Sequence, residues 1–519
     1  MQTYLVGGAV RDSLLGLPVR DRDWVVVGAD AETMLAQGFL PVGKDFPVFL
    51  HPDSREEYAL ARTERKTAKG YTGFAFHADK DVTLEQDLMR RDLTINAIAQ
   101  SSDGRIIDPF GGEADLRRKI LRHVSPAFAE DPVRILRTAR FAARYDFEVA
   151  EETMCLMRQM VEAGEADALV AERVWQELAK GLMEKQPRRM FEILRECGAL
   201  KVLLPEIDAL FGIPQPAAHH PEIDCGLHTL MVLQRAADMN LGLPARYAAL
   251  LHDLGKALTP PDLLPKHHGH DLAGIAPVQT VNRRWRVPKQ CAELAELVCR
   301  WHIVLHNVFT LKTFTALNVL QKTDAFRRPE RFRTALDVCQ ADIQGRLGRE
   351  NAPYPQRAHW LALLEAAAQT DTAAIAAACA HPAHIPEAIR RARNTTGTPA
   401  SRPNDSAPDV WPQGVRATLR CTSSSPARFS RPLPPMMPTT GRSTGVLAAA
   451  SAGAMLSSMP SITSPNPARP PSLPGRHGTR HRPRGAAGPA RPWLPGNRSS
   501  SRSHSGGPRR HRPAPAGHG

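Results

Sequence analysis

Short apolar runs separated by turn-forming residues dominate the first 125 positions of the chain. Strand-length runs punctuated by glycine, proline or aspartate occur in TYLVGG, DWVVVG, FPVFLH, EYALA and RIIDPFGG. Two other segments place apolar residues at helical spacing, AVRDSLLG and LEQDLMRRDLTINAIA. The pattern predicts a small α/β domain over residues 1–125.

From residue 126 the pattern becomes typical of helices. Apolar positions recur every three or four residues in ALVAERVWQELAKGLM and PRRMFEILRECGALKVLL, and strand-like runs nearly vanish until about residue 390. We therefore predict an all-α region that divides into 126–215 and 216–392. With the first domain, this gives a fold of the α+β class.

Residues 393–519 show neither the strand-like nor the helical pattern of apolar positions, and they consist mainly of Pro, Arg, Ser, Gly and Ala. Such a segment cannot bury enough apolar surface to offset its chain entropy, so we predict a disordered tail. Its many arginines, without lysine or glutamate, also suit a GC-rich gene read out of frame. Resequencing the gene near codon 395 tests that hypothesis.

The formal net charge of +14 lies in the tail. Residues 401–519 hold 17 Arg, two Asp and neither Lys nor Glu, so residues 1–400 carry a net charge of −1. The eight cysteines form no CxxC pair, which indicates reduced thiols. We expect neither a signal peptide nor a membrane span, because the N-terminal residues lack a basic region and the apolar runs are shorter than a membrane span. We expect a cytoplasmic protein that does not bind membranes.

The strongest local signal is a double glycine followed by two closely spaced aspartates. Gly7 and Gly8 lie where a predicted strand turns into a helix, so backbone N–H groups can approach a triphosphate closely. Arg11 can add a charged fork to the same phosphates. Asp21 and Asp23 are two apart on an extended segment, so both carboxylates point to one face. That arrangement suits a pair of Mg²⁺ ions about 3.5–4 Å apart.

A second signal combines histidines and aspartates in the helical region. The dipeptide His252-Asp253 lies in AALLHDLGKALTP, which we predict as an apolar helix ending at Gly255. His228 precedes it and Asp342 follows it. Imidazoles and carboxylates that converge from separate helices make a hydrolytic metal site. Other histidines are candidates, although they also fit surface or core positions: His267, His268, His270, His302 and His306.

The head motifs resemble those of a known family. In order, LVGGAVRD, DRDWVVV, RRDLTINAIA and EDPVRILRTARFAARY resemble class II CCA-adding enzymes and bacterial poly(A) polymerases, most closely the variant with a C-terminal HD domain. The resemblance extends over residues 1–390. It implies a polymerase β-like nucleotidyltransferase head over 1–125, a nucleotide-reading and tRNA-binding region over 126–215, and an HD phosphohydrolase domain over 216–392.

The resemblance also implies roles for individual residues. Asp21 and Asp23 would hold Mg²⁺. Five further residues, from the head and the region after it, would contact ATP or CTP: Gly8, Arg11, Arg91, Arg137 and Arg140. A and C both present an amino donor beside a ring-nitrogen acceptor, whereas G and U present the reverse order. One carboxylate beside one guanidinium therefore accepts A and C, and the resemblance assigns this to Asp131 and Arg134.

Three alternatives stay open for these residues. Asp131 also suits a plain helix cap, with Arg134 as an ordinary ion-pair partner. The arginines at 134, 137, 140 and 144 form one helical stripe, which could be a solvated face. Asp92 and Asn96 could form a structural hydrogen-bond pair while Arg91 faces the ligand.

The implied activity is template-free addition of CCA to tRNA from CTP and ATP. The HD domain would add 2′,3′-cyclic phosphodiesterase, 2′-nucleotidase and phosphatase activity, supported by Ni²⁺ or another divalent metal. Its metal would be held by His228, His252, Asp253 and Asp342, with His270 as the likeliest addition. The alternatives are a poly(A) polymerase, a non-catalytic RNA-binding relative and an HD hydrolase with a degenerate head. The sequence fits either a monomer or a homodimer.

Overall fold

The computed structural model describes residues 1–19, 21–42, 48–66, 74–77 and 80–396. The last described helix runs to Thr396, so the first four residues of the predicted tail, 393–396, are helical. The rest of that predicted tail, 397–519, lies outside the described residues. No helix in the described part is both long and apolar enough to cross a membrane.

The head domain is mixed α/β, as predicted. Its helices are α1 (Gly8–Leu14), α2 (Ala31–Ala36), α3 (Leu84–Met89) and α4 (Gly112–Arg118). Its strands are β1 (Gln2–Val6), β2 (Asp23–Val27), β3 (Leu40–Val42), β4 (Val48–Leu50), β5 (Glu57–Leu60), β6 (Thr63–Lys66), β7 (Phe74–His77), β8 (Ala99–Ser101), β9 (Ile106–Ile107) and β10 (Ile120–Leu121).

Seven strands form the main sheet in the order β3-β4-β5-β2-β1-β8-β9. Only β2 and β5 pair in parallel within it. The central strands β1 and β2 are antiparallel, and their register puts Val6 opposite Asp23. This register brings the end of β1 to the start of β2, which are the two segments that carry the predicted polymerase site.

The rest of the described chain is helical apart from β11 (Glu148–Val149), which pairs with β10. The helices before the predicted HD domain are α5 (Val133–Tyr145), α6 (Glu151–Glu162), α7 (Ala171–Leu182), α8 (Pro187–Glu196), α9 (Ala199–Leu203) and α10 (Pro205–Asp208). Those that follow are α11 (Cys225–Asp238), α12 (Leu243–Leu251), α13 (His270–Ala273), α14 (Ile275–Arg284), α15 (Lys289–His306), α16 (Thr313–Lys322), α17 (Pro329–Gln344), α18 (Pro355–Ala368), α19 (Thr372–Ala378) and α20 (Ile385–Thr396).

Two predicted helices were too long. LEQDLMRRDLTINAIA forms α3, a short 3₁₀ turn over Thr94–Asn96 and then β8. The helix stops because Leu93 forms a β-bridge with His123, so tertiary pairing overrides local helix propensity. The second helix, α12, ends at Leu251 rather than Gly255, which leaves His252 and Asp253 just beyond its end.

One hydrophobic core joins the head to the helical region. It extends from Val10 in α1 through Leu136 in α5 to Ala341 in α17. A smaller cluster packs α15 to α18 around Trp360, whose indole N–H donates to the carbonyl of Leu305 at 2.9 Å. Because burial of apolar side chains is the main favourable term in folding, this shared core fixes α5 relative to the helices behind it.

Candidate active sites

A glycine turn connects β1 to α1, as predicted. Gly7 has φ of 65°, a conformation that side chains with a Cβ rarely adopt. A Cβ atom at Gly7 would lie 3.0 Å from Nη1 of Arg91. Because Gly7 has no side chain, the Arg91 guanidinium can approach the turn. The guanidinium gives the turn a local positive charge.

The two aspartates lie beside this turn. Asp23 is the first residue of β2, and both it and Asp21 are exposed to solvent. The surrounding protein displaces part of the water around Asp23, and this raises the pKa of the Asp23 carboxyl. The positive charge of Arg91 lowers the pKa in part, whereas the negative charge of Asp21 raises it further. The two carboxylates are thus close enough to interact. Carboxylate oxygens are the donors that Mg²⁺ prefers, so this pair fits the metal.

Arg11 lies inside the protein rather than at the surface of the turn. Only 4% of the residue is exposed, and its guanidinium donates to Asn96 and to Asp12. It also lies over the rings of Phe141 and Tyr145, at 5.2 and 5.1 Å from their centroids. In this structure Arg11 joins the head to α5.

Every arginine in the stripe of α5 contacts protein groups, although the side chains of Arg137 and Arg144 are each 35% exposed. Its four members contact carboxylates or backbone carbonyls: Arg134 donates to the carbonyls of Ala127 and Arg90, Arg137 to Asp92 at 2.7 Å, Arg140 to Glu177 at 2.6 Å, and Arg144 to Asp12 at 2.9 Å. The solvated-face alternative does not describe this helix. The stripe instead ties α5 to the head and to α7.

Asp92 and Asn96 contact each other at 2.9 Å, which is the structural pair left open by the sequence. Burial of Asp92 acts to raise the pKa of its carboxyl, but Arg137 and the Asn96 amide outweigh burial and hold the pKa well below its usual range. Asp92 is therefore a buried anion that fixes Arg137.

Asp131 has a partner that the sequence did not reveal. Its carboxylate accepts two hydrogen bonds from Arg173 of α7, at 3.0 and 2.8 Å. It also accepts from the backbone N–H of Val133 at 3.1 Å, the capping contact considered for it. The two predicted base-reading residues thus lie at the start of α5, each already held in a fixed position by protein contacts.

The second site forms where helices of the predicted HD domain converge. His228 lies on α11, His252 and Asp253 follow α12, and Asp342 lies on α17. All four are buried. The structure adds three histidines to them, and these were secondary candidates in the sequence: His270, His302 and His306.

Asp253 lies between two groups of possible ligands. Its Oδ2 atom is 3.1 Å from Nε2 of His252 and 3.9 Å from Nε2 of His228. Its Oδ1 atom is 3.2 Å from Nε2 of His270 and 3.5 Å from Nε2 of His302. Asp253 is thus one of three possible ligands with His270 and His302, and it also lies beside a second group of three, which consists of His228, His252 and Asp342.

The ring orientations fit a metal centre. The Nδ1 atoms of His252, His270 and His302 each lie 2.6–3.1 Å from a backbone carbonyl oxygen of their own segment. Such contacts fix the ring so that Nε2 points inward, as in histidines that bind metals. Nε2 of His252 and Oδ1 of Asp253 are buried without a hydrogen-bond partner. A cation would satisfy both atoms.

The two aspartates of this site are ionised. Burial acts to raise the pKa of Asp253, but the charges of His252 and Lys256 outweigh it and hold the pKa well below its usual range. Burial likewise acts to raise the pKa of Asp342, but the charge of Arg346 and the contact with His228 outweigh burial and hold this pKa well below its usual range. Two carboxylates and several imidazoles match the donors of divalent transition metals.

Two of the candidate histidines lie outside this centre. His267 contacts the hydroxyl of Thr259 at 2.7 Å and the carbonyl of Pro214 at 3.0 Å. His268 is exposed. The sequence reasoning also missed Glu222, which contacts His228, and Tyr354, which contacts His306. Short motif spacing could have suggested Glu222, six residues before His228, but nothing local marked Tyr354.

Gly255 allows α13 to pack directly on the segment after Asp253. A Cβ atom there would lie 2.0 Å from the carbonyl oxygen of His270 and 2.6 Å from the nitrogen of Gly274. We expect Gly255→Ala to displace His270, to weaken binding of a divalent metal about tenfold and to lower the free energy of unfolding by about 1–3 kcal/mol. Metal titration and thermal unfolding measure both effects.

Gly242→Ala is the matched control for this substitution. Gly242 has an ordinary φ of −74°, and a Cβ atom there would meet only Cδ of Pro244 at 3.9 Å. Its variant should keep wild-type metal affinity. Equal affinity of the Gly255 variant would show that the contact with α13 does not support the metal site.

Three family descriptions match the chain in the order of its structure. The poly A polymerase head domain matches residues 3–122, the probable RNA and SrmB-binding site of polymerase A matches 146–211, and the HD domain matches 226–342. A multifunctional CCA protein of Neisseria meningitidis serogroup C is 81% identical over 379 residues, which cover 73% of this chain and 91% of that relative.

The chain belongs to the multifunctional CCA protein family. A second member, from Chromobacterium violaceum, is 64% identical over 76% of this chain and 97% of its own length. The family assignment confirms the resemblance of the head motifs and the nucleotidyltransferase and HD composition of the fold.

Solved structures of CCA-adding enzymes share the fold of this family member. The Bacillus stearothermophilus enzyme in complex with CTP aligns with a TM-score of 0.52 at 24% identity, over 76% of this chain and 88% of that one. The Thermotoga maritima enzyme complexed with tRNA_CCA aligns with a TM-score of 0.51 at 22% identity, over 78% and 88%.

Proposed function

We propose that the chain adds and repairs the 3′-terminal CCA sequence of tRNA from CTP and ATP without a nucleic-acid template. The observation that carries this proposal is the register that sets Asp23 opposite Val6, the residue before the glycine turn. The high identity to multifunctional CCA proteins supports it. In the proposed reaction the tRNA 3′-hydroxyl attacks the α-phosphate of the nucleotide, and pyrophosphate leaves.

We assign the residues of the head as follows. Asp21 and Asp23 hold Mg²⁺, which when bound neutralises charge on the phosphates and on the attacking oxygen. The Arg91 guanidinium beside the glycine turn adds positive charge at the triphosphate. Gly7 and Gly8 leave room for the phosphates. Positioning and charge neutralisation provide most of the rate in phosphoryl transfer, so no covalent enzyme intermediate is required.

Base selection is assigned to the start of α5. Arg134 and Asp131 are held there by backbone carbonyls and by Arg173, so their donor and acceptor atoms keep fixed positions. Asp131→Asn replaces an acceptor oxygen with a donor. We expect the preference for CTP over UTP to fall about tenfold, which is the scale of one lost paired contact to a base.

Single-turnover incorporation of CTP and UTP into tRNA that lacks CCA measures this preference. Glu130→Gln, at the partly exposed neighbouring carboxylate, serves as the control if its nucleotide preference is first shown to match the wild type. A wild-type preference in the Asp131 variant would reduce that residue to a helix cap and an ion-pair partner.

We further propose that the HD domain is a metal-dependent phosphohydrolase for 2′,3′-cyclic phosphate, 2′-nucleotide and phosphomonoester groups. His228, His252, Asp253 and Asp342 hold its metal, assisted by the three further histidines, His270, His302 and His306. The nitrogen-rich donor set suits Ni²⁺ or a similar transition metal, whereas the carboxylates of the head suit Mg²⁺. Such hydrolysis would clear damaged tRNA ends before CCA is rebuilt.

Product length separates this function from its nearest rival. Purified protein is incubated with tRNA lacking CCA, first with CTP alone and then with ATP. A CCA-adding enzyme adds two C residues and one A and stops, whereas a poly(A) polymerase continues with ATP. Products that extend beyond three additions would favour the poly(A) polymerase, and the absence of any addition would favour a non-catalytic relative.

The proposed partners are tRNA, CTP and ATP, and the proposed location is the cytoplasm. Solved CCA-adding enzymes with the same fold were captured with each of these three partners. A monomer and a homodimer both remain compatible with the proposal.

A further inference from the structure

Glu222 lies against His228 on the side of the ring that faces away from the metal centre. Oε1 of Glu222 is 2.9 Å from Nδ1 of His228, but the two atoms are not aligned, so Nδ1 forms no hydrogen bond in this metal-free structure. The opposite nitrogen, Nε2, is 3.1 Å from Oδ1 of Asp342 and 3.9 Å from Oδ2 of Asp253. The side chain of Glu222 is only 4% exposed, so this contact is shielded from water.

We infer that Glu222 is a positioning residue for the HD metal site and acts through His228. When a metal is bound, a small rotation of the His228 ring would let the Glu222 carboxylate accept the Nδ1 proton and hold the tautomer whose Nε2 lone pair faces the metal. The inference rests on the proposed metal centre and assigns to that centre a residue outside the HD pattern. A carboxylate behind a metal-binding histidine fixes the ring and makes it a stronger donor.

The neighbouring histidines use weaker acceptors for the same purpose. Nδ1 of His252, His270 and His302 faces a backbone carbonyl, and Nδ1 of His306 lies 3.0 Å from the hydroxyl of Tyr354. Among these histidines, only His228 has a carboxylate at this position. Loss of that carboxylate should therefore affect metal affinity more than loss of a neutral partner would.

The loop that carries Glu222 is held in an unusual conformation. Ile223 has φ of 59°, which is rare for a β-branched residue and is typical of backbone strain retained at functional sites. Two backbone contacts fix it: the N–H of Gln215 donates to the carbonyl of Ile223 at 2.7 Å, and the N–H of Ile223 donates to the carbonyl of His220 at 2.9 Å. The strained residue directly follows Glu222 and sets its place behind His228.

His220 offers a competing interpretation. Its Nδ1 atom is 3.0 Å from the same Oε1 atom of Glu222, and the three side chains could together hold a cation of their own. In that case His228 would offer Nδ1 as a ligand and could not donate a proton from it. The two arrangements predict different coupling between Glu222 and His228.

Titration of the metal-free full-length protein with Ni²⁺ tests the inference. Glu222→Gln keeps the shape of the side chain but removes its charge, and we expect the Kd for Ni²⁺ to rise about tenfold. Glu222→Asp withdraws the carboxylate oxygen from Nδ1 and should also raise the Kd for Ni²⁺. This variant replaces the first one if Glu222→Gln does not fold. Glu350→Gln is the control, because Glu350 is exposed and accepts the N–H of Gly348 away from the ring.

A double-mutant cycle shows whether Glu222 acts through His228. In a His228→Ala background, Glu222→Gln should cause no further loss of Ni²⁺ affinity. Wild-type affinity in both Glu222 variants would overturn the inference, and so would additive losses, which would indicate the competing site with His220. If His252→Ala also keeps wild-type affinity, the proposed metal centre itself is wrong, which is a separate result.

Discussion

Asp23→Asn should reduce incorporation of CTP into tRNA lacking CCA by about 10³-fold, and Asp21→Asn should do the same. Each substitution removes one of the two carboxylates proposed to hold the metal beside the glycine turn, and loss of one preorganised charge contact costs about 10²–10³ in rate or more. Asp23 is exposed at the start of β2, so its side chain contributes little to the core. The melting temperature should therefore change little.

Initial rates with radiolabelled CTP measure this effect. Asp53→Asn is the matched control, because Asp53 is an exposed aspartate in a turn of the same head domain, between β4 and β5. It should retain wild-type rates. Both Asp21 and Asp23 variants should also keep the phosphohydrolase activity of the HD domain. An active Asp21/Asp23 double variant would overturn the assignment of the polymerase site.

His252→Ala should remove phosphohydrolase activity, by about 10³-fold or more as expected for loss of an essential site residue, and spare CCA addition. His252 is 1% exposed, and its polar contacts stay within the HD site and its own helix. No contact of its ring reaches α5 or the glycine turn among the described residues. The two activities should therefore separate cleanly.

Hydrolysis of a 2′,3′-cyclic nucleotide with added Ni²⁺ measures the first activity, and CTP incorporation measures the second. His268→Ala is the control, because His268 is an exposed histidine close in sequence to the site. It should retain both activities. A His252 variant that stays folded but loses both activities would contradict two independent sites.

Local sequence patterns are sufficient to predict the head site. The double glycine follows β1, and the two aspartates lie at and just before the start of β2, which pairs with β1, so the predicted chemistry depends on a short segment and one strand pairing. The contacts of the arginines, in contrast, depend on residues that are distant in sequence. Arg173 lies 42 residues from Asp131, and Arg11 is buried by rings of α5, so neither contact could be inferred from spacing.

The HD site illustrates the same limit more strongly. The adjacent pair His252-Asp253 was recognisable, but His306 and Asp342 meet only because α15 packs on α17, 36 residues apart in sequence. Irregular spacing of this kind carries no periodic signal, so the additional histidines could not be ranked. Glu222 was missed because an acidic residue in a loop is usually solvated, whereas here its side chain is buried.

The central claim is that Asp21 and Asp23 gather a divalent cation where the glycine turn receives a nucleotide triphosphate. A crystal of the full-length protein soaked with CTP and Mn²⁺, in place of Mg²⁺, tests it through the anomalous signal of the metal. The account predicts manganese between the two carboxylates, with the triphosphate against Gly7, Gly8 and Arg91. Manganese and triphosphate bound together elsewhere in the head would contradict it.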